Sequence, residues 1–496
     1  MSSFKVRNDV AIAFGLILIL VAPIMLMTSQ SAVGQKNETS LASNNNTSTA
    51  QALTEGALPT QEGFSVRVLA TNFSAPHNIL YGPDNALWIT ERIGKNISRV
   101  DPDTGEKLST MRVPNVHQSG GQDGLMGMAF DPDFNNTNYI YVAYTYDADS
   151  GNDLERRTKI TRFTYDPQNA SIGQPLDLMS GLSASVDHNS GRLIFGPDGM
   201  IYYTIGDQGN NQFDNYCTPI RAQVLPTEDQ VESQNWTAYE GKVLRMNPDG
   251  SVPDDNPELD GVRSHIFTYG HRNAQGIAAG PNGDLYVVEH GDKTDDEFNR
   301  LQEGGNYGWP NVAGFIDGQA YQYANWSAAE NCEELTFNNI QPFPPSVPVM
   351  NESEFAAPDF VPPIQTFYTV DNDYNFTSPP DCGYVCWPTV APASLRLYTS
   401  ETIPEWNGTF LITTLKGGRI FHLDLSENGA TLANEPTEMF RSEDRYRDLA
   451  FSPDGDTIYV IIDSSGPVQS IEGPPIATIK NPGSVLEFRY GGSAGP

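Results

Sequence analysis

Apolar residues along this chain come in short runs, and tight polar turns introduce them. Gly82-Pro83-Asp84-Asn85 leads into Leu87-Trp88-Ile89, and Asp131-Pro132-Asp133 into Tyr139-Ile140-Tyr141-Val142. The pattern returns at Gly196-Pro197-Asp198-Gly199 before Ile201-Tyr202-Tyr203, and at Gly280-Pro281-Asn282-Gly283 before Leu285-Tyr286-Val287. It appears twice more, at Trp406-Asn407-Gly408 before Phe410-Leu411-Ile412 and at Ser452-Pro453-Asp454-Gly455 before Ile458-Tyr459-Val460. Proline presets φ for the second turn position and Asp/Asn-Gly tolerates positive φ, so each unit predicts a tight turn feeding a β-branched or aromatic strand. Further strands follow several of these, as in Gly241–Met246 and Gly418–Leu423. No long amphipathic helix intervenes. Repeated antiparallel units of this kind predict an all-β, six-bladed β-propeller, in which each blade buries its faces against its neighbours. A generic β-sandwich with Gly-Pro turns fits six regular motifs less well. Residues 63–490 shared among six blades give about 71 residues each, against roughly 40–45 for a compact blade. The surplus predicts long inserted loops, and loops on a rigid scaffold are where function sits.

One apolar run breaks the pattern. Val10–Met27 follows Lys5 and Arg7 and precedes small residues at Ala32 and Gly34, so residues 1–34 read as a signal peptide in preference to a retained anchor. The run is also just long enough to serve as a membrane tether through residues 10–27. In either case the remainder is expected outside the cytoplasm, as an extracellular or cell-surface protein. Residues 35–62 are rich in Asn, Ser and Thr and read as a flexible linker, 63–490 as the propeller, and 491–496 as a tail. Twelve N-x-[ST] sequons, at Asn37, Asn45, Asn46, Asn72, Asn96, Asn135, Asn169, Asn235, Asn325, Asn351, Asn375 and Asn407, are glycan acceptors in an exported glycoprotein. An Asn- and Thr-rich chain also generates such triplets by chance. The four cysteines are even in number, which in an oxidising compartment suggests disulfides. Cys382 and Cys386 are near enough to close a local loop, leaving Cys217 with Cys332.

Charge narrows the partners. With 29 Lys+Arg against 62 Asp+Glu the net charge is −33, which excludes the basic surface that nucleic acid or anionic lipid requires. An apolar share of 38%, with aromatics at 10%, is still enough for a folded core.

Several strings carry candidate chemistry. Asp187-His188 pairs an acid with an imidazole, as a general base requires. Gly206-Asp207-Gln208-Gly209 places another acid at a strand end, and Gly270-His271-Arg272-Asn273 offers a guanidinium for developing negative charge. Gly291-Asp292-Lys293-Thr294-Asp295-Asp296-Glu297 supplies oxygen ligands of the kind calcium takes. Lys416 and Arg445-Tyr446-Arg447 stand out in so acidic a chain and suit an anionic group. No dinucleotide-binding or phosphate-loop motif is present. The residues alone predict an exported, calcium-binding propeller acting on a small polar substrate.

Taken together, residues 63–490 resemble the soluble quinoprotein glucose dehydrogenases, the glucose/sorbosone dehydrogenase family that uses pyrroloquinoline quinone (PQQ) and calcium. The resemblance is carried by Gly121-Gln122-Asp123-Gly124-Leu125, Asp187–Leu193, Tyr203–Gly209, Gly270–Asn273, Gly304–Asn311, Cys386-Trp387-Pro388-Thr389 and Arg445-Tyr446-Arg447-Asp448, in the family's order. It implies that His188 takes the proton from the anomeric hydroxyl of a glucose-like aldose while Asp187 orients it. The hydride passes to PQQ, leaving the lactone. It implies a sugar pocket of Gln122, Asp187, Gln212, Arg272, Tyr384 and Trp387, and PQQ held by Arg272, Asn273, Thr389, Lys416, Arg445 and Arg447. An active-site calcium would use the carbonyls of Gly291 and Asp292. A second calcium would use Asp296, Glu297, Glu352 and the carbonyls of Tyr307 and Ala313. The chain departs from the family pattern in having His290-Gly291-Asp292 in place of Gln-Gly-Pro, and Phe213 where a smaller aliphatic is familiar, which implies a narrower outer sugar subsite. The electron acceptor is left open, and a homodimer is compatible with the resemblance. A calcium-dependent propeller lactonase or esterase, and a non-catalytic saccharide-binding propeller, are the alternative readings.

Overall fold

The computed structural model describes residues 58–492, apart from 150, 152 and 381. The expected leader and tether, most of the linker, and the last residues of the tail lie outside the described residues. Six four-stranded antiparallel sheets form the six blades of the expected propeller. Five run in chain order from their innermost strand outward, starting at Pro76–Tyr81, Leu125–Phe130, Leu193–Phe195, Ala274–Ala279 and Pro392–Leu397. The sixth is composite. Tyr446–Phe451, Thr457–Ile462 and Val485–Tyr490 take their outermost strand, Phe64–Ala70, from the start of the domain, so the two ends of the chain close the ring.

Each turn motif joins the innermost strand of a blade to its second strand. The second strands Leu87–Glu91, Ile201–Ile205, Leu285–Glu289, Phe410–Thr414 and Thr457–Ile462 are buried at every position. Neighbouring blades cover both faces of these strands. The outer strands Lys107–Arg112 and Thr437–Ser442 keep a mixed exposed pattern, as half-solvated strands do.

A charged axle ties the blades together. Asp448 Oδ2 accepts from Asn78 Nδ2 (2.6 Å), the Ile79 amide (3.0 Å), Arg192 Nη1 (2.7 Å) and Arg396 Nη2 (2.9 Å). Arg192 also donates to the carbonyls of Gln275 (3.1 Å) and Ala393 (3.0 Å), and Asn78 Oδ1 accepts from the Met128 amide (2.8 Å). These residues lie on or beside the innermost strands of all six blades, so a single network spans the ring. The Arg192 and Asp448 side chains are buried to within 2%.

In five blades the register of the innermost strand slips near its start: between Pro76 and Asn78, Leu125 and Met128, Ala274 and Gly276, Pro392 and Ser394, and Tyr446 and Asp448. Such bulges re-aim side chains next to binding sites. The start of the first strand and the end of the second lie at the same end of an antiparallel blade, which sets that end aside for function. The surplus length lies in inserts 206–241, 301–364, 368–391 and 463–484 between strands. Cys217–Cys332 and Cys382–Cys386 are both disulfide-bonded, as expected.

Candidate active site

At the bulged end lies a cavity of about 420 Å³. Its wall repeats the blade pattern. Gln122, His188, Arg272 and Thr389 precede innermost strands, Arg445 and Arg447 flank the start of one, and Arg92, Gly291, Asp292, Lys416 and Asp463 follow second strands. Asp187, Gln212, Asp296, Tyr384 and Trp387 complete the expected residues found there. The sugar and catalytic residues implied by the resemblance therefore share one cavity, together with most of those assigned to the cofactor. Asn273 does not line it. Asn273 is fully buried behind the wall, where its Oδ1 accepts from Ser190 (3.1 Å) and Gln275 (2.8 Å). The neighbouring Gln275, carried by the bulge, faces the cavity instead.

His188 lies on a strained loop. Its φ is +46°, and Ser190, Gln208, Asn211 and Phe213 also have positive φ, a concentration typical of binding sites. Gly206 permits the close packing, since a Cβ there would stand 2.0 Å from the His188 carbonyl oxygen. The carboxylate that orients the imidazole is Asp207, not Asp187. His188 Nδ1 is 2.7 Å from Asp207 Oδ1, whereas His188 Nε2 is 3.9 Å from Asp187 Oδ2. Asp207 is buried and also accepts from the Trp309 indole (2.8 Å) and the Gly209 amide (3.0 Å). A buried carboxylate at Nδ1 keeps the proton on that nitrogen and leaves Nε2 as the acceptor. Asp187 instead bonds the amides of Gln122 and Gln212, and Gln212 Nε2 is 3.3 Å from His188 Nε2. Adjacency in sequence points to Asp187, whereas Asp207 reads from sequence only as an acid at a strand end.

Five cations line the cavity, namely Arg92, Arg272, Lys416, Arg445 and Arg447. Burial lowers Arg92 and Arg445, and takes Lys416 down to about 7 despite the nearby Asp296 carboxylate. Lys416 Nζ reaches the Trp387 carbonyl (2.8 Å) and Thr389 Oγ1 (2.5 Å). Arg447 pairs with Asp463 at 2.8 Å. Arg272 donates to Gln212 Oε1 (3.0 Å) and stacks over Trp309 at 5.1 Å. The Nε atoms of Arg272 and Arg445 are buried and have no hydrogen-bond partner. Arg92 and Asp463 were missed from sequence. An arginine right after a second strand, in a chain poor in cations, was the available signal for Arg92.

The departures from the family pattern also sit here. Burial pushes the Asp292 carboxyl up, but the Lys293 ammonium and Arg272 guanidinium outweigh it and hold the group below the usual carboxylate range. His290 is held far below the ordinary histidine value by burial, and then by His188 and Arg272.

The acidic run divides. Asp296 turns toward the cavity, where its carboxylate accepts from the amides of Gly291 (2.9 Å), Val390 (2.6 Å) and Ala391 (2.7 Å). It is therefore apart from the cluster in which it was expected. Glu297, next along the same strand, points the other way, as strand alternation requires, and accepts from the Gly314 amide (2.7 Å). Glu352 accepts from the Ala313 amide (3.2 Å). The third acid of that region is Asp295. Burial raises Asp295 to about 7 and Glu352 to about 8, and lifts Glu297 well above its ordinary value, with other carboxylates adding to each shift. Tyr307 stacks on His271 at 4.5 Å beside this region. Among the described residues no group of three or more His, Cys, Asp and Glu is already drawn together around a metal position.

Fold and site define a six-bladed propeller with one polar, cation-lined cavity over its axle. The glucose/sorbosone dehydrogenase family model matches residues 73–355 and 371–469. The chain is 46% identical over 439 residues to quinoprotein glucose dehydrogenase B of Acinetobacter calcoaceticus, covering 86% of this chain and 91% of that protein. It is 26% identical to aldose sugar dehydrogenase YliI of Escherichia coli, covering 81% and 90%. In fold it is similar to the PQQ-bound aldose sugar dehydrogenase of Streptomyces coelicolor, with a TM-score of 0.57 at 24% identity, covering 87% of this chain and 99% of that one. The chain belongs to the glucose/sorbosone dehydrogenase family.

Proposed function

We propose that this protein is a quinoprotein sugar dehydrogenase that oxidises the anomeric C–OH of a glucose-like aldose to the lactone, using PQQ and calcium. The observation that carries this reading is His188, braced by Asp207, in the wall of a cavity that also presents five cations. The residues fit an anionic cofactor. Lys416, Arg92 and Arg445 are all disfavoured as cations by burial, and two buried guanidinium Nε atoms lack partners, so an entering polycarboxylate would satisfy charges the protein leaves open. Asp295, Glu297 and Glu352 fit a divalent cation for the converse reason, as acids whose charge burial and neighbouring carboxylates disfavour. The carbonyls of Gly291 and Asp292 remain the proposed site for the active-site calcium.

When bound, PQQ would supply a two-electron acceptor and calcium a Lewis acid. The chain's own residues do the rest. Gln122, Gln212 and Asp187 hold the sugar hydroxyls beside His188. His188 Nε2 takes the hydroxyl proton while Asp207 stabilises the resulting imidazolium. Arg272, stacked on Trp309, faces the negative charge that develops as two electrons leave the sugar. Tyr384 and Trp387 offer apolar faces to ring C–H groups and limit water. The disulfides accord with an oxidising compartment, and hence with export through residues 1–34, the propeller being either released or tethered.

The test is reconstitution. Purified protein loaded with calcium and PQQ should reduce a dye when given aldoses. His188→Ala should lower kcat by about 10²–10⁴-fold. Sugar-independent dye reduction, or an unaffected His188→Ala enzyme, would refute the reading.

A further inference from the structure

We propose that Glu289 is a positioning residue of the active site: through the Arg272 backbone amide and the His271 ring it fixes where the Arg272 guanidinium stands in the cavity. This rests on the dehydrogenase reading above. The Arg272 side chain has few anchors of its own. Its Nη2 donates to Gln212 Oε1 (3.0 Å), its Nη1 is 3.5 Å from the His290 carbonyl oxygen, and its buried Nε has no hydrogen-bond partner. Gln212 is also assigned to the sugar hydroxyls, and the stack over Trp309 limits tilt more than sliding. The guanidinium is therefore placed chiefly by the backbone that carries it.

That backbone is clamped on both sides. Glu289 ends the second strand Leu285–Glu289 and is buried. Its Oε2 accepts from the Arg272 amide (2.9 Å), and its Oε1 accepts from His271 Nδ1 (2.8 Å) and Asn299 Nδ2 (2.9 Å). His271 is fully buried, meets Thr268 Oγ1 at Nε2 (2.8 Å) and stacks on Tyr307 at 4.5 Å, so the ring that Glu289 grips cannot turn. On the other side the Arg272 carbonyl accepts from the Asp207 amide (2.8 Å). Asp207 is the carboxylate that braces His188. One residue's backbone thus ties the brace of the base to the guanidinium, and Glu289 closes the tie. The clamp requires a carboxylate. Three donors use both of its oxygens, whereas an amide offers one acceptor oxygen and would turn an NH2 group toward a donor. Precision of this kind matters at a reacting centre, where a misplacement of about 1 Å can cost about 10²-fold in rate.

The experiment is a double-mutant cycle on the PQQ- and calcium-loaded protein, with Glu289→Gln, Arg272→Ala and the two combined. The readout is single-turnover reduction of bound PQQ by the aldose that the wild type oxidises fastest. Glu289→Gln alone should slow this step about 10- to 100-fold at saturating sugar. The pH midpoint of the step, which reports the base, should stay where it is in the wild type. In the Arg272→Ala background the same change should cost less than about twofold, because the group it positions is gone. Thermal unfolding is recorded for every variant. Should Glu289→Gln fail to fold, His271→Phe takes its place in the cycle, since it keeps a ring beside Tyr307 and loses the bond to Glu289. Equal losses in the two backgrounds, a Glu289→Gln protein with the wild-type rate, or a shifted pH midpoint overturns this inference and leaves the dehydrogenase reading standing. Bound PQQ that no aldose reduces overturns both.

Discussion

Arg447 and Asp448 are adjacent in the chain and serve two different regions. Asp448 belongs to the axle, where each charged group is hydrogen-bonded within the protein: one carboxylate receives two guanidiniums, an amide side chain and a backbone amide. Burial pushes the Asp448 carboxyl up, but Arg192 and Arg396 more than offset it and hold the group low. Arg447 belongs to the cavity, where five cations converge and the buried Nε atoms of Arg272 and Arg445 make no hydrogen bond. Burial alone therefore does not mark function. The distinction is whether the buried charge is satisfied within the protein. A satisfied network holds the fold, and an unsatisfied one is arranged for something that enters.

Breaking the axle should have the largest effect. Asp448→Ala leaves Arg192 buried without its counter-ion and should lower the unfolding free energy by about 3–5 kcal/mol, read by denaturant or thermal unfolding. The cavity should respond in the opposite sense. Arg445→Met removes a buried cation whose Nε has no partner, leaving Asp463 with Arg447. The cofactor-free protein should be unchanged or more stable by about 1 kcal/mol, while PQQ affinity falls by about 2–3 kcal/mol, measured by titration. If both variants destabilise the empty fold alike, the contrast between the two regions is wrong.

Asp207→Asn tests the site's own paired charge. Its nitrogen can no longer hold the proton on His188 Nδ1, so kcat should fall about 100-fold or more with a smaller change in KM. Asp187→Asn should affect KM more than kcat, since Asp187 contacts the amides of Gln122 and Gln212.

The smallest effect is on pH dependence. Asp295 and Glu352 have folded values raised to about 7 and about 8 from ordinary values of 3.8 and 4.5. Between those limits the folded, calcium-free protein holds protons that the unfolded chain has released. Unfolding free energy should therefore fall as pH rises from about 4 toward 8. Asp448 has the opposite sign: its support is present above the unfolded carboxyl value and is lost as pH falls through its depressed folded value. Thermal unfolding with and without calcium across this range should show the alkaline-side loss in the calcium-free protein only.

The blade count was legible because a tight turn built from Pro, Asp, Asn and Gly and the strand after it are decided by backbone chemistry within a few residues, and such a unit recurs six times. Most of the cavity wall was legible as well, through strings that resemble a known family. The partner of His188 was not. Asp187 is its neighbour in sequence, but the strained loop turns that side chain toward Gln122, and the end of the next strand delivers Asp207 instead. Asp296 was misplaced for a related reason. A list of acidic residues has no faces, whereas a strand sends Asp296 and Glu297 to opposite sides.

Local order, meaning turns, strand runs and the surplus of loop, follows from this chain's residues because short-range sterics and burial select it. Which charges meet was settled only when the ring closed. The axle brings Asn78, Arg192, Arg396 and Asp448 together from distant parts of the chain, and the bulges at the starts of the inner strands decide that Gln275 and Arg447 face the cavity. Such contacts depend on register and closure, which no stretch of sequence a few residues long contains.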